Sequence, residues 1–272
     1  MAADGSFKVT FPSVLPPGAI TGFSHAECYM RDTRNCSGDI SREPYLSQSL
    51  RDLFDAKTVK ADFPWNDVGH QTTSGLENPT PAILCTRHHT ALSPLDAVAA
   101  QAFGNLVDAA LYVIRKSLAT KRTFYAVSGE GLELWGLKLL FGAYHATLAA
   151  KDGEALKDTH PLDFGIFQRA LEGRALAPPC GLYVRAVGHM GTPVGLKTEA
   201  GNRVTGLRLL VGPLECELIV DPAGLNFDVI RRQNHYRPSA VDLIGKKRDA
   251  KILLSGQPFA THESVRLELR ET

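Results

Sequence analysis

The chain has 272 residues, of which 44% are hydrophobic and 22% charged, with 30 basic against 29 acidic side chains. That composition excludes fibrous and intrinsically disordered classes, and the length suffices for one large core or two modest ones. A formal net charge of +1 neither requires nor excludes a polyanionic partner, because a basic stripe can sit inside a neutral total.

No apolar run reaches the roughly 18 residues a membrane helix needs, and the opening MAADGSFKVTF has neither a basic n-region nor an apolar h-region. The expectation is a soluble, cytoplasmic protein with no membrane partner. Five cysteines, at 28, 36, 85, 180 and 216, are an odd number for such a chain. They argue for metal ligation or buried thiols rather than a disulfide framework.

In chain order, residues 1–92 form a first region. Its opening 27 residues are rich in Gly, Pro and Ser and read as an extended lead-in. From Cys28 to about His89 the chain carries turn chemistry, short extended pieces and the irregular insert VKADFPWNDVGHQTTSGLENPTP. So few apolar residues need another source of stability, which a bound metal supplies.

Residues 93–175 read as a helical layer. Ser93 and Pro94 offer an N-cap hydroxyl and a first-turn proline, and apolar residues from Leu95 to Ile114 recur at spacings of 3 and 4, predicting a helix over 93–118. GLELWGLKLLFGAYHATLAA, 131–150, is apolar almost all round and predicts a central core helix. A third helix is expected from Pro161 to Leu171, stopped by Gly173. The glycines of VSGEGLELWGLK lack a Gly-Lys-Ser/Thr ending and a convincing preceding strand, so they read as a helix start and not a phosphate loop.

Residues 176–272 change to β texture. GLYVRAVGH, GNRVTGLRLLVG, LECELIVDP and AKILLSG are short β-branched runs between turn residues, which predicts an antiparallel sheet with hairpins. The fold class is therefore α+β.

Cys85-x-x-His88 has the separation at which two ligands from one helical turn or knuckle reach a tetrahedral ion, and Cys28 and Cys36 complete a Cys3His set. Thiolates and imidazole favour zinc over magnesium or calcium. His25 and His89 are alternative fourth ligands, and buried free thiols beside a surface histidine are the other reading of the same residues.

NCSGDISREPYLS followed by ILCTRHHTALSPLD resembles the HNH-like (His-Me finger, treble-clef) zinc proteins of bacteria, over about residues 25–100. The resemblance implies a ββα module whose structural zinc is held by Cys28, Cys36, Cys85 and His88. It implies metal-dependent phosphodiester hydrolysis on DNA or RNA, with magnesium or manganese as the catalytic ion. His89 falls where the family contacts that ion or the scissile phosphate, and Asn78 matches the family's central asparagine. Where the family has a water-activating histidine after an acidic residue, this chain has Pro44 after Glu43. Proline offers no proton acceptor, so the base would have to come from Glu43, from His70 of the insert or from bulk solvent. The competing expectation is a catalytically inactive zinc-binding recognition or scaffold protein.

The remaining polar features have plainer readings. His145 is a core histidine, Cys180 and Cys216 are buried thiols, and His189 and His235 flank β elements. RRQNHYR and GKKRDAK read as exposed basic turns, with phosphate contact the sharper alternative.

Overall fold

A computed structural model of the chain describes residues 14–42, 47, 50, 82–115, 121–145, 150–151, 154–155, 162–187, 194–198, 204–211, 213–256, 259 and 261–269. The described residues form a mixed α+β structure. A two-residue strand β1 (Ile40–Ser41) pairs antiparallel with β2 (Leu84–Cys85), setting Ile40 opposite Cys85. Helix α1 (Thr86–Ile114) follows β2 directly.

The start of α1 corrects the expectation from sequence. The helix begins at Thr86, and Pro94 lies inside it and not at its first turn. Pro94 has no N–H to give the carbonyl four residues back. The hydroxyls of Thr90 and Ser93 donate to the carbonyls of Thr86 and His89, each at 2.9 Å, on the same stretch. What carries the helix through the proline is a buried stripe, Leu92, Leu95, Ala99, Phe103, Leu106, Ala110 and Val113, which continues on one face while Pro94 itself points to solvent. Among the described residues α1 is also the one helix long and apolar enough, by length and composition, to cross a membrane. Its apolarity is used here for packing against sheet and helix, and it buries Asp96 in an ion pair.

Strand β3 (Lys121–Ser128) leads straight into α2 (Gly129–His145), so the glycines at the helix start do follow a strand, contrary to the sequence reading. Helix α2 is buried all round, as expected, but ends before residue 150, where a two-residue hairpin of β4 (Ala150–Lys151) and β5 (Glu154–Ala155) takes over. Helix α3 (Phe164–Leu171) starts three residues later than expected because the Asp163 carboxylate accepts from the Gly165 N–H at 2.8 Å and caps it. Facing helices α1 and α2 are joined by a buried network in which Asp96 accepts from Lys138 Nζ at 2.7 Å and from Trp135 Nε1 at 3.2 Å, beside the edge-on Phe103–Trp135 pair.

Beyond residue 180 come β6 (Gly181–Ala186), β7 (Val194–Thr198), β8 (Val204–Val211), β9 (Leu214–Ile219), α4 (Phe227–Gln233), β10 (His235–Tyr236), β11 (Pro238–Ile244), β12 (Arg248–Ser255) and β13 (Thr261–Glu268). They build two sheets. One, in the order β10-β6-β9-β8-β7, is antiparallel throughout. The other, β13-β11-β12-β3, is mixed: β11 and β12 form an antiparallel hairpin, while β13 lies parallel to β11 and β3 parallel to β12. The expected all-antiparallel tail is thus half right. A strand from the helical stretch of the sequence completes the second sheet.

RRQNHYR also departs from an exposed basic turn. Arg231 and Arg232 are exposed on α4, but Arg237 is 0% exposed. Its guanidinium donates through Nε and Nη2 to the two carboxylate oxygens of Glu133 on α2, at 2.7 and 2.9 Å, and through Nη2 to the Leu176 carbonyl at 3.0 Å. Glu133 accepts in addition from the Leu182 N–H at 2.8 Å. This ion pair ties α2 to the start of both sheets.

Candidate metal centre

The centre is assembled from two chain segments. The first is a tight loop whose backbone closes on itself: Cys28 N donates to His25 O at 3.0 Å, Thr33 N to Met30 O at 3.1 Å, and Cys36 N to Phe23 O at 2.9 Å. Arg34 takes a left-handed conformation (φ 53°) to turn the chain back toward Cys36. The second segment is the β2–α1 junction, where Cys85 ends the strand and His88 lies in the first helical turn. Thr86 N donates to Asp39 O and Tyr29 N to Ile83 O, both at 2.9 Å, which locks the two segments together.

This brings Cys28, Cys36, Cys85 and His88 into one buried group whose ligand atoms all lie within 4.8 Å of one another. His88 Nδ1 sits 3.1 Å from Cys85 Sγ, 3.5 Å from Cys28 Sγ and 3.7 Å from Cys36 Sγ. The other ring nitrogen settles the tautomer. His88 Nε2 is 3.0 Å from Thr33 Oγ1, and that hydroxyl gives its own proton to Met30 O at 2.7 Å. Thr33 must therefore accept from Nε2–H, and the Nδ1 lone pair faces the three sulfurs.

Protonation follows the same geometry. Burial, helped by the neighbouring Arg87 charge, pushes the His88 imidazole down to about 4, so it is neutral at pH 7. Burial raises the Cys28 and Cys36 thiols. At Cys85 the same burial is outweighed by backbone hydrogen bonds from His88 and Ser37, and the thiol is lowered. Three thiols and a neutral imidazole converging in a buried pocket have little to offer one another; a cation at their centre satisfies all four. The group can hold a metal ion.

Surrounding residues tie the loop to the rest of the fold. Arg87 donates to Asn35 Oδ1 at 3.1 Å and to the carbonyls of Pro17 and Ala19 at 2.7 and 3.0 Å, strapping the lead-in to the helix start. Tyr29, next to Cys28, stacks on His145 at 5.4 Å and packs against Phe167, which seats the centre on α2 and α3. His145, expected as a core histidine, is half-buried at the end of α2 and packs through this ring stacking.

The other residues singled out from sequence fall differently. His89 is half-buried on α1, turned about 100° from its neighbour His88, and is not part of the ligand group. His25 is not a ligand either: its Nδ1 accepts from Glu27 N at 3.3 Å and its ring lies edge-on to Phe23. Asn78, Glu43, His70, His189 and Pro44 lie outside the described residues. His235 is exposed and pairs with Glu263 at 3.1 Å. All five cysteines are free. Thr33, Tyr29 and Arg87 escaped the sequence reading, since no spacing rule ties a threonine between two cysteines to a histidine 55 residues on.

Comparisons of this chain with protein-family models, with curated proteins and with solved structures find no match.

Proposed function

We propose that Cys28, Cys36, Cys85 and His88 hold a structural zinc ion in an HNH-like ββα module, and that the protein acts on or recognises nucleic acid. The observation that carries the reading is the buried Cys3His group at the junction of β1, β2 and α1. A tetrahedral zinc with bonds of about 2.3 Å to sulfur and 2.0 Å to nitrogen holds those atoms about 3.5 Å apart, and the three Nδ1–Sγ separations of 3.1, 3.5 and 3.7 Å straddle that value. The strand-strand-helix order, with the last two ligands at the helix start, supports the treble-clef assignment.

In an active enzyme magnesium or manganese supplies Lewis-acid polarisation of the phosphate. His89, one residue past the last zinc ligand, and Asn78 are the residues this chain offers to that ion or to the phosphate. The water-activating role falls to Glu43 or His70, because Pro44 has no proton acceptor. That same proline favours the second reading, a catalytically inactive zinc-binding recognition or scaffold protein.

Two measurements separate these. Metal analysis of the purified chain should find one equivalent of zinc, lost in Cys36→Ser; a folded, metal-free wild type would remove the zinc assignment. Plasmid and oligonucleotide cleavage with magnesium or manganese that disappears in His89→Ala supports hydrolysis. Retained nucleic-acid binding with no cleavage under either metal selects the inactive reading.

A further inference from the structure

Strand β3 is an open edge. In the order β13-β11-β12-β3 it pairs, among the described residues, with β12 alone, running parallel to it without a register shift. Lys121 N donates to Lys247 O at 3.1 Å, and Val127 O accepts from Ser255 Oγ at 3.2 Å, which fixes the phase of the ladder. In a parallel ladder alternate residues direct both N–H and C=O to the same neighbour, so Lys121, Thr123, Tyr125 and Val127 bond β12. The N–H and C=O groups of Arg122, Phe124 and Ala126 therefore point away from the sheet. All three residues are exposed, Phe124 to 61%.

Little blunts this edge. Proteins protect free edges with prolines, bulges or charges along the strand. KRTFYAVS has no proline, no bulge and no residue of positive φ, and its two cations stand at one end. The stretch that follows them, TFYAV, is β-branched or aromatic apart from its alanine, the composition that favours pairing. On the sheet face away from α1, Phe124 carries the Arg122 guanidinium over its ring at 5.6 Å, and Leu253, 43% exposed, lies opposite Ala126 in the register.

The charge pattern selects the partner. A second copy added parallel and in register would set Lys121 against Lys121 and Arg122 against Arg122, which is destabilising. Run antiparallel about a two-fold axis at Phe124, the same strand is complementary to itself. Arg122 then faces Ala126, Lys121 faces Val127, and the two Phe124 rings face each other. The two Lys121 residues lie about 20 Å apart along the strands. The outward-pointing residues of both copies pair only with one another, exchanging about six backbone hydrogen bonds. A shift of two residues one way would draw in Ser128, where the chain already turns into α2 and Ser128 Oγ accepts from Gly131 N at 3.0 Å. The opposite shift sets Ala126 against residue 120, before the strand begins. The contact is also closed, because each copy uses its open β3 edge once.

We propose that β3 is a dimer interface at which two copies of this chain pair antiparallel, Phe124 opposite Phe124, joining their four-stranded sheets into one. The interface involves neither the metal ligands nor nucleic acid, so its failure and the failure of the reading above are separate results. Sedimentation velocity of the full chain over a concentration series should give twice the 29.5 kDa chain mass at the upper concentrations and the single-chain mass on dilution. Phe124→Lys and Phe124→Glu each set like charges against one another at the axis and should raise the dissociation constant about tenfold or more. Their urea midpoints should match that of the wild type at dilutions where all are single chains, since residue 124 is exposed there. Mixed in equal amounts, the two variants should associate nearly as tightly as the wild type, lysine now facing glutamate. Ala126→Glu, which brings a carboxylate to the partner copy's Arg122, should tighten the dimer severalfold. A wild type of single-chain mass at every concentration, a dimer indifferent to the Phe124 variants, a mixture no tighter than either variant alone, or a dimer loosened by Ala126→Glu would each overturn the proposal.

Discussion

Thr33 shows how much of a metal site lies outside its ligands. The hydroxyl accepts the Nε2–H of His88 and donates its own proton to the Met30 carbonyl, so in the folded loop the imidazole is held in one tautomer and one orientation. Losing such a partner typically lowers metal affinity about 10- to 100-fold. Thr33→Val should weaken metal binding by that order in a chelator competition, while Thr33→Ser, which keeps the hydroxyl, should stay near wild type. Equal affinities for all three would mean that the loop alone orients the ring. A second buried partnership, Glu133 with Arg237, makes the opposite kind of prediction. Arg237→Met strands a carboxylate that is only 7% exposed and should cost about 3–5 kcal/mol in urea unfolding, whereas adding Glu133→Leu should restore much of the loss. The buried Cys3His group was legible in the sequence because Cys85-x-x-His88 is local and the two other cysteines stand apart from any disulfide pattern. Arg237 was not, because its carboxylate lies 104 residues away and RRQNHYR looks like any exposed basic turn.

At the scale of the element, α1 and β3 show where local signals lead astray. Ser93-Pro94 is a good helix start by composition, yet the helix began two turns earlier, since the His88 and Leu92 side chains already belong to the buried stripe. The proline is therefore a tolerated defect on an exposed face. Pro94→Ala restores the N–H facing the Thr90 carbonyl without disturbing the core, and it should raise the unfolding free energy by about 1–2 kcal/mol, part of the roughly 3 kcal/mol interior penalty being offset by a looser unfolded chain. An unchanged or lower urea midpoint would show that α1 needs a bend there to deliver His88. Strand β3 went unread because KRTFYAVS buries only Val127 deeply and pairs with a strand whose residues lie more than a hundred positions on. No local period marks a parallel edge strand of that kind. The antiparallel hairpin of β11 and β12, by contrast, is contiguous, and its turn was visible in GKKRDAK.

For the molecule as a whole, the metal centre and the two-sheet body draw on different sources of stability. The body has its own apolar core in α1, α2 and the inner faces of both sheets. The loop around Cys28 and Cys36 adds to that core only Tyr29, Met30 and the cysteine side chains themselves, and its backbone bonds are internal to it apart from that of Tyr29 N to Ile83 O. Metal-binding free energy acts as folding free energy where the site is not otherwise preformed, so chelation should melt the loop and leave the body standing. In hydrogen exchange, the amides of Tyr29 and Thr86, bonded across the two segments, and of Cys36, bonded within the first, should lose protection when the metal is removed. Those of the β11–β12 ladder, such as Val241 and Ile252, should keep it. Far-UV circular dichroism should then fall only slightly, while the stacking of Tyr29 on His145 is lost and tyrosine fluorescence reports it. Uniform loss of protection in loop and ladder together would instead make the metal the keystone of the entire fold, because α1 carries both His88 and the stripe against which the sheet packs.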